Sequence, residues 1–314
     1  MEESFATSAR IDREALRGMM ARRDGPGLWR LGVQLALLVG AGAATVRLGA
    51  AGSPWWAATA TLGGLALLGF VPALHESGHA TAFRGRAMNA AAAWLAAPLM
   101  LQAPSFFREF HWEHHRETQN RARDPEIAAA PELLDGWPRS PLHYLAIATG
   151  QGLWTGKLGF TIASALLPSA AAWAKVFPFV RPTMRRRVAW ESRLVLAILG
   201  GAIAAGLAWV PGFVYALAMV PLAHLFMGLY VMPEHTGLPN EGSQLHRTRT
   251  IRSNALVRWW MWNMPYHAAH HAYPAVPFHA VPALNERLGP ELEHVVPGYL
   301  AFHAEAIRRA FGGR

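Results

Sequence analysis

The sequence predicts an all-α integral membrane protein: two transmembrane helical hairpins, about four spans with re-entrant or interfacial helices beside them, under a cytoplasmic helical cap. Three observations carry this. Charged residues make up only 16% of the 314-residue chain, against roughly 25% in an average soluble domain. Charge is absent altogether from residues 55–74 and 194–233; a bilayer core takes about 20 apolar residues per helix, so the second stretch has room for two spans. The arginines, finally, are lopsided. Arg22, Arg23, Arg84, Arg86, Arg108, Arg116, Arg185, Arg186, Arg187 and Arg247 fall in one set of loops, while the opposite loops, near residues 48–53 and 210–212, are short and nearly uncharged.

Residues 1–27 are polar and charged, with no cleavable signal peptide, and read as a cytoplasmic tail or an amphipathic surface helix. The domain proper runs over residues 28–288. Its first segment, 31–50, is apolar apart from Gln34 and Arg47; Gly52-Ser53 turns the chain into a second, 54–74. The third, 90–103, is too short to span and reads as re-entrant or interfacial. A polar stretch, 108–139, follows. The fourth, 144–174, contains Gln151 and Lys157 and fits either a surface helix pair or a span. The fifth and sixth, 194–209 and 213–231, are separated by Pro211-Gly212, a strong turn signal. Residues 289–314 form a C-terminal cytoplasmic segment. The positive-inside rule puts both termini and the polar layer in the cytoplasm. The preference for arginine over lysine (Lys157 and Lys175 are the two lysines) points to a GC-rich bacterial genome, hence an inner membrane.

Composition narrows the chemistry. There is no cysteine, which excludes disulfides, thiolate metal sites and cysteine nucleophiles. The net charge of +9 fits a membrane surface or an acidic partner; no nucleic-acid-binding signature accompanies it. Histidine, by contrast, occurs 15 times, and much of it is clustered: His75-Glu-Ser-Gly-His79, His111-Trp-Glu-His114-His115 and His267-Ala-Ala-His270-His271, with His235 alone just beyond the sixth segment. Positions i, i+3 and i+4 of a helix lie on one side, and each cluster falls at a membrane boundary or in the polar stretch between spans. Neutral imidazole is a good ligand for first-row transition metals. Eight or nine of them exceed the roughly four that a tetrahedral site uses, so the arithmetic favours two metals.

An HxxxH box followed by two HxxHH boxes, distributed around two pairs of spans, resembles the membrane fatty acid desaturase and hydroxylase superfamily. The context of the third box, Asn263-Met-Pro-Tyr-His267 through His271-Ala-Tyr-Pro-Ala-Val-Pro-Phe278, is similar to its bacterial desaturase-like branch. The resemblance implies a non-haem centre of two iron ions that uses dioxygen as co-substrate. Its ligands would be His75, His79, His111, His114, His115, His235, His267, His270 and His271. His224, three turns before His235, is expected instead to bond a neighbouring carbonyl. Carboxylates should orient the imidazoles. Asp124 and Glu126, right after the second box, are favoured; Glu76, Glu113 and Glu234 are further candidates. Asn263, one turn before His267, fits either a metal-bound water or a helix cap.

His75-Glu76-Ser-Gly-His79 also matches HExxH, the motif in which a glutamate is the general base of a zinc metalloprotease. That reading, an intramembrane protease, leaves the other boxes idle. Within the superfamily, desaturation, hydroxylation, ketolation and oxidative decarboxylation share one opening, oxidation of an unactivated C–H; the apolar hairpins suggest a lipidic, fatty-acyl substrate. Two external electrons are then needed. With no cysteine for an iron–sulfur cluster, they should come from a separate ferredoxin- or reductase-like protein docked at Arg181, Arg185, Arg186, Arg187, Arg247, Arg249 and Arg252.

Overall fold

Asp24 opens the first long helix, Asp24–Ala50, earlier than the apolar run suggests, and its carboxylate accepts the Arg84 backbone N–H at 2.8 Å. The computed structural model describes residues 11–128 and 138–312. Four of its helices are long and apolar enough to cross a membrane: Asp24–Ala50, Trp56–His79, Pro182–Trp209 and Phe213–His235. Glycine makes the connections possible. Gly52 and Gly212 both have left-handed backbone, at φ +68° and +83°, and a Cβ on Gly212 would sit 2.2 Å from the Val46 carbonyl oxygen. The second helix breaks at Gly69, into Trp56–Leu68 and Phe70–His79. A Cβ there would lie 2.6 Å from Gln34 Nε2. That amide donates to the Trp260 carbonyl at 2.9 Å and accepts from Trp262 Nε1 at 3.3 Å, tying the first helix to the segment before the third histidine box.

The short third segment is the first half of a bent pair. Arg86–Leu99 and Pro104–Glu117 meet at 95°, the break containing Leu101 at φ +61°. The fourth segment resolves into three helices, Pro141–Ala148, Gln151–Leu166 and Ala170–Val176, none of which is among the membrane-length helices. Gly150 starts the middle one at φ +62°, where a Cβ would meet the His224 carbonyl oxygen at 1.7 Å.

The remainder is built of short elements. Helices Gln244–Arg247, Ala255–Trp260, His267–Ala272, Val281–Arg287 and Tyr299–Ala310 are joined by a two-stranded parallel bridge, Thr250 opposite Val295 and Ile251 opposite Val296. Its core holds Leu245, Leu284 and Leu288 at 0% exposure, each burial contributing about 1.5–3 kcal/mol. Residues 1–10 lie outside the described residues; the rest of the predicted tail includes a short helix, Arg13–Met19, with one face against the protein. Asp12 caps Arg13–Met19 by accepting the Glu14 and Ala15 N–H groups at 3.0 Å, and Leu16 and Met19 pack onto the cap core. At the other end Phe302 and Ala306 pack against Met232.

Candidate metal centre

Each histidine box sits where a helix is held by something outside itself. Phe70–His79 stops because Ala80 turns left-handed at φ +59°, which leaves His75 and His79 on its last two turns. Pro104 occupies the first turn of Pro104–Glu117, and Glu191 from another helix takes the exposed N-terminal donors, accepting from Ser105 N at 2.7 Å and Ser105 Oγ at 2.9 Å. That positions His111, His114 and His115. His235 ends Met219–His235, and His267–Ala272 holds the third box.

The nine imidazoles, all buried, form two groups: His75, His79, His111, His115 and His270; and His114, His235, His267 and His271. Each HxxHH box is shared between them, rather than aimed at one point as the helix-face argument alone suggests. The second box sends its i and i+4 histidines to the first group and its i+3 histidine to the second; the third box does the reverse. The groups touch where His115 and His271 stack at 4.1 Å.

Seven of the nine Nε2 atoms face one another within their groups. His111 Nε2 is 2.9 Å from His79 Nε2 and 3.0 Å from His115 Nε2, and His115 Nε2 is 3.3 Å from His270 Nε2. In the second group His267 Nε2 lies 3.1 Å from both His235 Nε2 and His271 Nε2. Two nitrogens bound at about 2.1 Å to one ion at right angles stand about 3 Å apart. A ring nitrogen carries either one proton or one lone pair, so neither His111 nor His267 can satisfy two such neighbours with hydrogen bonds.

The second group's outer nitrogens settle its tautomers. His235 Nδ1 donates to the Arg247 carbonyl at 3.0 Å, and His114 Nδ1 to Asp124 at 3.0 and 3.1 Å. His271 Nδ1 meets Thr118 Oγ1 at 3.3 Å; that hydroxyl spends its proton on the His114 carbonyl at 2.7 Å, so the imidazole is the donor. His235 and His271 therefore present bare Nε2 lone pairs inward, and His114, oriented by Asp124 through Nδ1, would do the same once a metal displaced its Nε2 proton, in the manner of a carboxylate–histidine–metal relay. Burial keeps His267, His270 and His271 neutral, lowering their pKa values, that of His270 to about 3. Burial also disfavours charge on His114, but Asp124 and Glu126 outweigh it and raise its pKa to about 9. Converging bare lone pairs repel unless a cation lies between them; the donor set fits two first-row transition-metal ions.

The remaining predicted residues are placed variously. Asp124 is fully buried against His114 and also accepts the Gln119 and Glu126 N–H groups at 2.8 and 3.0 Å. Glu126 is 3.7 Å from His114 with its side chain 43% exposed. Glu234 is 3.7 Å from His267 Nδ1. Glu113 pairs with Arg116 rather than with an imidazole. Asn263, at φ +62°, donates to the Phe278 carbonyl at 3.0 Å and caps no helix: the residue before His267–Ala272 is Tyr266. Glu76 accepts from Thr81 Oγ1 at 2.7 Å and Phe278 N at 3.2 Å. His224 bonds the Val220 carbonyl at 2.9 Å and belongs to neither group. Two of the seven docking arginines are unsuited to that role: Arg247 and Arg249 are buried and donate to the carbonyls of Thr118, at 3.0 Å, and of Pro233 and Thr236. The sequence reading missed the brace formed by Gln244, whose Nε2 donates to the His115 carbonyl at 2.8 Å, and by the Arg247 carbonyl.

Membrane-length helices and buried histidine boxes together define a histidine-box membrane protein. Residues 53–303 match the family model described as fatty acid desaturase, and the chain belongs to that family, an integral-membrane oxidoreductase family known for its use of iron. No curated protein matches the chain.

Proposed function

We propose that the protein oxidises an unactivated C–H bond of a lipidic, fatty-acyl substrate with dioxygen, by desaturation or hydroxylation, at a centre of two iron ions held by the nine histidines. The observation that carries this is the pair of Nε2-lined groups sharing both HxxHH boxes. Iron held there supplies the redox chemistry that couples dioxygen reduction to C–H oxidation. Desaturation balances as R–CH2–CH2–R′ + O2 + 2e⁻ + 2H⁺ → R–CH=CH–R′ + 2H2O; hydroxylation as R–H + O2 + 2e⁻ + 2H⁺ → R–OH + H2O. The chain's own part is to fix nine imidazoles in a water-poor layer, with His114, His235 and His271 locked by their Nδ1 partners, so that little reorganisation is left to the reaction.

The electrons come from a separate ferredoxin- or reductase-like donor. Supporting this is a crevice lined by Arg108, Glu109, Trp112, Arg116 and Arg181, with the Trp112 indole 4.9 Å from the His79 ring; Arg181 pairs with Glu109 and Arg116 with Glu113, so Arg108 gives an acidic donor the net positive charge beside the first group. We place both termini and the histidine layer on the cytoplasmic face of a bacterial inner membrane, because the arginine-rich loops and the boxes share one side of the four long helices. A zinc metalloprotease built on His75-Glu76-Ser-Gly-His79 is less well supported. It would use the two histidines of this box and leave six or seven of the nine clustered imidazoles without a role.

The test combines metal analysis of purified protein with mass spectrometry of lipids from cells with and without it. Two irons per chain and an unsaturated or hydroxylated acyl product are expected. One zinc per chain, or turnover without any reductant, would refute the proposal.

A further inference from the structure

Outside the nine grouped imidazoles, one more group of ligating side chains converges among the described residues. His246, Glu293 and His294 have ligand atoms within 4.8 Å of one another, on the outer surface of the cap. The fold brings them together from separate stretches. His246 lies in Gln244–Arg247, just before the strand Thr250–Ile251, and Glu293 and His294 lead into the strand Val295–Val296. Parallel pairing of the strands, with Thr250 N donating to the His294 carbonyl at 2.9 Å, sets the two approaches side by side. Gly242 packs under the His246 ring so closely that a Cβ would lie 2.9 Å from it.

The geometry is that of a ligand set. His294 Nε2 is buried and has no hydrogen-bond partner. That nitrogen is therefore free to serve as a ligand atom. The His246 ring stands 5.3 Å from that of His294, and its Nδ1 meets the Glu293 carboxylate. The neighbouring cation, Arg249, turns its guanidinium inward onto the Pro233 and Thr236 carbonyls. Two imidazoles and a carboxylate, with a position left for water, make up the donor set of an open zinc site.

We propose that His246, Glu293 and His294 form a surface site for a zinc-class divalent cation, distinct from the two buried groups. The site adjoins the brace of the inner centre. Arg247, next in the chain, supplies the carbonyl that orients His235, and Gln244 in the same turn holds the His115 carbonyl. A cation there ties this turn to the 293–296 segment and stiffens the support of both groups.

The experiment titrates full-length, iron-loaded protein with Zn²⁺, and in parallel with Co²⁺ as a spectroscopic probe, against His294→Ala and Glu293→Gln. Iron content is followed throughout, to exclude exchange at the inner centre. Wild type is expected to take up one equivalent beyond its iron, with a Co²⁺ d–d band from a histidine- and carboxylate-bound ion. Each variant should bind it at least about tenfold more weakly, since loss even of an outer partner costs 10–100-fold. Glu293 is exposed, so its isosteric replacement leaves the fold intact, as unchanged iron content would report. Absence of the added equivalent in wild type, or wild-type affinity in both variants, overturns the proposal. Because the difference between wild type and variants is read on added zinc or cobalt, it stands or falls apart from the identity of the inner metal.

Discussion

Replacing Asp124 by Asn removes one charge and one acceptor while keeping the shape. The carboxylate is fully buried and accepts on both oxygens: His114 and the Glu126 N–H on one, His114 and the Gln119 N–H on the other. An asparagine oxygen can retain one of these sets. Its NH2 then faces a donor, either the Gln119 or the Glu126 N–H, and leaves that buried group unpaired at a cost of about 1–3 kcal/mol. The charge that makes the His114 imidazole a stronger ligand is lost as well. Loss of such a partner lowers metal affinity 10–100-fold, or about 1.4–2.7 kcal/mol at 1.36 kcal/mol per factor of ten. The assay is competition for iron against a chelator of known affinity, with helicity checked by circular dichroism. Glu126→Gln is the control: at 3.7 Å and 43% exposed, it should shift affinity less than about threefold. A folded Asp124→Asn protein with wild-type iron affinity would refute the role given to the carboxylate.

Three further outcomes are expected. His270→Ala should abolish turnover and lower iron content, whereas His224→Ala, bonded only to the Val220 carbonyl, should keep its iron; metal analysis of the two purified variants decides. Gly212→Ala meets both a left-handed φ of +83° and the Val46 oxygen at 2.2 Å, so it should fail to accumulate as folded protein. Gly52→Ala, at φ +68° in open space, should cost about 1–2 kcal/mol, and thermal unfolding of the two variants separates the cases. Because the chain contains no cysteine, single cysteines at Ser53 and Pro211 should react with an impermeant thiol reagent from the side opposite to one at Arg252. Labelling of all three from one side would refute the topology.

Much of the site was legible because a helix converts spacing into direction. The i, i+3, i+4 pattern of His111, His114 and His115 is a local property, and so is a charge-free run long enough to cross a bilayer. What stayed hidden is what depends on distant partners. Nothing near Gln244 or Arg247 in the chain announces that they support His115 and His235, since those contacts span 129 and 12 residues. Arg249 looked like a surface cation because arginine usually is one; its burial rests on carbonyls freed at the end of the helix Met219–His235. Glu113 was drawn off by Arg116 one turn along, a local pairing that competes with the expected imidazole. The division of the 144–174 segment into short helices turns on Gly150, whose left-handed backbone and contact with His224 become visible only in three dimensions.

On the proposed acyl substrate, the amide of Gln34 would bear on where along the chain oxidation falls. It holds the first long helix to Trp260 and Trp262, a few residues before the third histidine box. A helix advances about 1.5 Å per residue, so sliding this one past the cap by a single position would break both bonds. In the proposed membrane placement the amide would act as a depth stop, fixing how far the histidine layer lies from the hydrocarbon around that helix. A carbon–carbon bond along an extended acyl chain advances the reactive position by a little over 1 Å, so a ruler of this kind, rather than any contact with the reacting carbon itself, can select which bond comes within reach.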